Sequence, residues 1–185
     1  MRIALALTLV LGLLPGQSLL VNGDFEQDLS VGWTQARDGY GNQVFSRAAD
    51  YHPDADYEAR VYQYGGPGWM KLGQLVTVPD TGLEFSFQAE FRIGNSSVTC
   101  WPVASVGLEY CDAGGDILGT TLFCLRDGNS NWTSTPILHL IEVTDPDWRE
   151  YRLSIGAELS GNLPGVIAAD VHQVRVLMYG FTSDG

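Results

Sequence analysis

The stretch "LEFSFQAEFRI" over Leu83–Ile93 alternates apolar and polar residues. Phe85, Phe87, Ala89, Phe91 and Ile93 fall on one side of an extended chain, and Ser86, Gln88, Glu90 and Arg92 on the other. This row fits a pleated strand with one buried face. It fits no helix, because a 3.6-residue period would scatter the phenylalanines around the axis. Outward polar residues are the default on a sandwich strand.

The same period recurs. "ASVGLEYC" sets Ala104, Val106, Leu108 and Tyr110 opposite Ser105, Gly107 and Glu109. "DAGGD" (Asp112–Asp116) then makes a glycine-rich turn into "ILGTTLFCL", which predicts a hairpin. Further strands are expected at "GQLVTVP", "PILHLIEV", "EYRLSIG" and "HQVRVLMYG". Helical spacing is sustained nowhere, and a short turn is expected near Ile167–Asp170. Many short strands in 185 residues that are 45% apolar and 17% charged describe one all-β domain, a sandwich or a barrel.

The opening "MRIALALTLVLGLLPGQSLL" reads as a secretory leader: Arg2, an apolar run from Ile3 to Leu14, then Pro15 and the small residues Gly16 and Ser18. Cleavage after Ser18 divides the chain into residues 1–18, the signal peptide, and 19–185, the β-domain. A membrane anchor or a buried first strand is the alternative. The run falls short of the ~20 residues that span a bilayer, and no later segment is apolar enough to insert. The expected location is therefore secreted or at the cell surface. A net charge of −12 and a single lysine, Lys71, argue against nucleic acid or an anionic membrane as the main partner.

An oxidising compartment permits a disulfide among Cys100, Cys111 and Cys124. Counting out from the turn at Gly114 sets Cys124 near Ala104, in reach of a bend at Cys100. A Cys100–Cys124 bond with Cys111 reduced is the expectation, and three buried thiols the alternative.

"LLVNGDFEQDLSVGW" at Leu19–Trp33 resembles the opening of jelly-roll carbohydrate-binding modules of the galactose-binding-like kind, whose first strand reads N-G-x-F-E and leads to a Trp. "YEARVYQYGGPGWMKLGQLVTVPDTGLEFSFQAEFR", "VGLEYCDAGGDILG" and "DPDWREYRLSI" are similar to later segments of that family, in the same order. The resemblance implies a jelly-roll β-sandwich of two antiparallel sheets. Such modules end on a strand carrying an Asp, and "YGFTSDG" stops before one, so a missing last strand or a longer multidomain parent protein is expected.

The resemblance also implies a structural calcium ion, with Glu26 as a ligand and Asp24 and the carbonyl of Gly23 beside it. Asp50, Asp54, Asp56 and Glu58 are further oxygen donors for a hard cation, or a solvated acidic loop. Recognition of a polysaccharide or cell-surface glycan needs an aromatic face against the sugar's C–H side and planar polar groups for its hydroxyls. Trp69, in the Gly/Pro-rich "GGPGWMK", is the expected platform, with Gln88, Glu90 and Arg92 as hydroxyl partners. Tyr62, Tyr64, Trp101 and Trp132 are second-rank, and Trp33 and Trp148 are assigned to the core. Each of these aromatics can equally pack beneath a loop.

Catalysis is not expected. Glu90 and Glu109 would have to face one groove at glycosidase spacing, and His52, His139 and His172 accompany no nucleophile motif. Asn95-Ser96-Ser97 and Asn131-Trp132-Thr133 are glycosylation sequons, meaningful in a eukaryotic secretory route. The leading reading is a non-catalytic carbohydrate-binding module. The alternative is a binding-inert structural or adhesive domain.

Overall fold

A computed structural model describes residues 9–12, 18–50, 56–94 and 100–183. It is an all-β sandwich, one of the two architectures that the alternation allows. One layer is a six-stranded sheet in the order β2 (Thr34–Gly39), β5 (Gly68–Thr77), β11 (Gln173–Thr182), β7 (Pro102–Cys111), β8 (Ile117–Arg126), β9 (Leu138–Glu142). Every pairing in it is antiparallel except β8 with β9, which is parallel. The other layer holds β6 (Glu84–Ala89) between β1 (Leu9–Gly12) and β10 (Arg149–Ser154), and the hairpin β3 (Asn42–Ala48) with β4 (Glu58–Tyr64). β1 lies within the stretch read as a leader, and its register sets Leu9 beside Phe87.

The phenylalanine row does what its period requires. Phe85, Phe87, Ala89 and Phe91 are buried, and the Phe87 ring meets Phe123 of β8 edge-on at 5.1 Å and stacks on Tyr151 of β10 at 4.9 Å. Burying each such ring is worth about 1.5–3 kcal/mol. From the opposing sheet come Met70, Leu72, Val106, Leu108, Tyr110, Val174, Val176 and Met178. β4 closes the same core with Ala59 and Val61, and Gln63 Nε2 donates to Thr182 Oγ1 at 3.0 Å across the layers.

The Asp112–Asp116 turn forms as expected. Asp112 N bonds the Asp116 carbonyl at 3.0 Å, and Gly115 takes φ +89°, a left-handed conformation that favours glycine. A bulge between Tyr110 and Cys111 then moves the hairpin register by one residue from the simple count. Cys124 consequently faces Ser105, with Leu125 opposite Ala104.

Two regions depart from expectation. "SIG" does not continue β10: Ser154 caps a helix α1 (Ile155–Gly161), whose Ile155 and Leu159 enter the core. Parallel pairing of β8 with β9 makes the large sheet mixed, where the resemblance implies antiparallel sheets. The turn expected near Ile167–Asp170 is present as a 3-10 segment at Ala168–Asp170.

Candidate functional site

β11 places its core-facing residues at Val174, Val176 and Met178, so Arg175, Leu177, Tyr179 and Phe181 stand on the outer face of the six-stranded sheet. Register extends this into rows across the strands. Trp69 lies between Asp38 and Phe181; Lys71 between Ala36 and Tyr179; Gly73 between Thr34 and Leu177. On the far side of β11, Leu177 faces Gly107 and Arg175 faces Glu109.

An ionic bridge crosses the middle of this face. Lys71 Nζ donates to Glu109 Oε1 at 2.5 Å, and Arg175 Nη1 donates to Glu109 Oε2. The Glu109 side chain is 8% exposed, whereas Lys71 and Arg175 are each 24% exposed. A Cβ on Gly73 would meet the Arg175 stem at 3.4 Å, an ordinary contact, whereas one on Gly107 would stand 2.0 Å from the Thr121 carbonyl of β8.

A shallow hollow lies on each side of the bridge. One, of about 220 Å³, is lined by Thr34, Ala36, Trp69, Lys71 and Arg175. The other, of about 260 Å³, is lined by Lys71, Glu109, Thr120, Trp132, Leu177 and Tyr179. Both are smaller than the ~300–1,000 Å³ typical of drug-sized ligands. Trp132 comes from the connection between β8 and β9, where Arg126 holds its carbonyl. Its ring stacks on Tyr179 at 6.2 Å and lies 6.0 Å from Phe181, which also meets Trp101 at 5.3 Å. Burial, with the Glu109 charge adding to it, pushes the Tyr179 hydroxyl up to about 12.

The expected quartet is therefore divided. Trp69 is half-buried and belongs to β5, not to a loop. Gln88 is exposed on β6, opposite Glu150, on the other layer. Glu90 and Arg92 lie past the end of β6 and pair with each other. The core stands between Trp69 and these three residues. The period assigned each side chain to the correct side of its own strand and carried no information about which sheet the strand joins. Glu109 was legible as a polar position on β7, but not its partners. Trp101 and Trp132 both lie against Phe181 on this outer face, while Tyr62 and Tyr64 pair with each other on β4 at 5.1 Å. Trp33 is a core residue whose Nε1 donates to the Asn22 carbonyl at 2.9 Å; Trp148 is only half-buried.

At the N-terminal motif, Asp24 accepts from Glu26 N at 3.3 Å and Glu26 Oε1 accepts from Tyr57 N at 3.1 Å. Arg47 donates to the carbonyls of Phe25 and Glu26 and lies over the Tyr57 ring, 3.5 Å from its centroid. No group of three or more His, Cys, Asp or Glu side chains among the described residues is arranged to hold a metal. Asp54, one of the further oxygen donors, lies outside the described residues.

No disulfide joins Cys100, Cys111 or Cys124, which corrects the expected Cys100–Cys124 bond. Cys124 faces Ser105, five positions along the chain from Cys100. At ~3.4 Å per residue that is far beyond the ~4.4–6.8 Å between Cα atoms that a disulfide tolerates. Burial pushes the Cys124 thiol up to about 11.

Glu90 and Glu109 stand on opposite layers and share no groove. The other acid of note is Glu158 of α1, 3% exposed. It accepts from Thr121 Oγ1 and Asn162 Nδ2, each at 2.8 Å, and lies 2.5 Å from His139 Nδ1. These bonds tie the helix to β8 and β9.

No protein-family model matches the chain, and no curated protein matches it. Among solved structures it is similar to the enzymatically active domain of tailspike protein 4 from bacteriophage CBA120, at 9% identity and a TM-score of 0.35. The likeness covers 90% of this chain and 21% of that one.

Proposed function

We propose that the chain is an exported, non-catalytic carbohydrate-binding domain whose site is the outer face of the six-stranded sheet. The observation that carries this reading is the flanking of one polar bridge, Lys71–Glu109–Arg175, by two hollows that each contain a tryptophan, Trp69 in one and Trp132 in the other. Pyranose rings offer an apolar C–H face to an indole and hydroxyls to fixed charged groups, and this arrangement supplies both. Recognition is non-covalent. The polar partners in this reading are Lys71, Glu109 and Arg175, in place of the expected Gln88, Glu90 and Arg92.

The test is affinity electrophoresis through gels containing a panel of plant, algal, bacterial and animal polysaccharides, with and without chelator. Retention of the wild-type chain, unchanged by chelator and reduced at least tenfold in Trp132→Ala or Trp69→Ala, is the expected result. A wild-type chain retained by no polysaccharide overturns the proposal in favour of an inert structural or adhesive domain. Variants retained as well as wild type place the site elsewhere.

A further inference from the structure

Resting on the carbohydrate reading, the charge on the bridge narrows the kind of saccharide. Lys71 is the single lysine of a chain with net charge −12, and it stands on this face with Arg175. Each Glu109 oxygen already accepts from one of the two cations, and the carboxylate is nearly covered. Two cations against one carboxylate leave the bridge with a formal positive charge. What meets solvent is donor surface. One guanidinium nitrogen and one ammonium bond are committed to Glu109, leaving further N–H groups on both side chains, of which Lys71 lines both hollows and Arg175 one. Donors of this kind bind an ionised acceptor about twice as strongly as a neutral one, and a guanidinium suits the planar carboxylate in particular.

We propose that the face takes an acidic saccharide, a uronate-containing chain. The uronate carboxylate lies against Lys71 and Arg175, and its neighbouring rings rest over Trp69 and Trp132. Lys71 lines both hollows, so one extended ligand can cross from one to the other without leaving the cation. Glu109 fixes the two cations in place at the expense of part of their charge. The chain as a whole carries a net charge of −12, so a polyanion meets overall repulsion and is held only by a specific seat.

Affinity gels of polygalacturonate, alginate and hyaluronate, each beside its methyl-esterified form, test this, with dextran sulfate as a plain polyanion. The expected result is retention on at least one uronate polymer, at least tenfold weaker on its ester and weakened by added salt. Lys71→Gln and Arg175→Gln each lower that retention about tenfold. Glu109→Gln, used where its circular dichroism matches wild type, raises it, which a merely structural role for Glu109 would not do. Equal retention on acid and ester, or retention on neutral polymers alone, overturns the acidic ligand and leaves carbohydrate binding intact. Retention on dextran sulfate equal to that on the uronates also overturns it, as ion exchange. Retention on no polysaccharide overturns both readings.

Discussion

On the outer face of β6 and β10, Arg152 bonds Glu150 at 2.6 Å and reaches Glu84 at 3.4 Å, with these side chains 62%, 49% and 53% exposed. On the outer face of β5, β11 and β7, Glu109 holds Lys71 and Arg175 with only 8% of its side chain exposed. Both faces are outward rows of alternating strands. The first is a solvated ion ladder on which β6 and β10 place no aromatic ring, since Tyr151 turns into the core. The second is overlaid by Trp132, Tyr179, Phe181 and Trp101, and all of β7 is buried. Water screens the ladder, and its pairs are worth little. Partial desolvation on the other face makes the same kinds of charge depend on one another.

The largest expected difference between the faces is in stability. Glu109→Gln strands two half-buried cations and is expected to cost about 2–4 kcal/mol in urea unfolding, against less than about 0.5 kcal/mol for Glu150→Gln. Equal losses would erase the contrast.

Alkaline pH sharpens it next. Cys124, buried, keeps its proton to about pH 11 in the fold and loses it nearer its ordinary value of 9.0 in the unfolded chain. The folded state therefore binds more protons between those values, and stability falls as pH rises through that window, by about 2 kcal/mol. Tyr179, raised to about 12, extends the fall upward. Urea midpoints measured from neutral pH to about pH 11 should decline in wild type and decline less in Cys124→Ala. Titrating the unreduced, denatured chain with a thiol reagent should find three reactive thiols; a single one would show that two of the cysteines are bonded to each other.

Ligand retention gives the third contrast. Trp132→Ala should lose at least tenfold, about 1.4 kcal/mol or more, while Gln88→Ala and Glu90→Ala leave retention unchanged. Loss in the Gln88 variant instead would move the site to the other layer. The smallest effect is expected from Arg152→Gln, within about 0.5 kcal/mol by thermal or urea unfolding; a larger cost would show that the ladder is not solvent-screened.

Much of this architecture was readable residue by residue. The Leu83–Ile93 alternation located β6 and its core row, although the strand itself ends at Ala89. The glycine-rich turn located the β7–β8 hairpin, and the bulge at Tyr110/Cys111 then defeated the register count behind the disulfide. α1 was not visible because "SIGAELSG" is too short for a helical period and is helical only with its cap and its buried Ile155 and Leu159. β2 carries the exposed sequence "TQARDG", which lacks an apolar row to announce it.

Period-two chemistry by itself determined that this chain is all-β and which side chains point inward, because the pleat ties each side chain's direction to its position in the strand. Which outward row would be covered, and which charges would meet, was decided only by tertiary pairing. Lys71 and Glu109 are 38 residues apart and Glu109 and Arg175 are 66 apart. They become neighbours because β11 docks between β5 and β7, a long-range choice that no local pattern encodes.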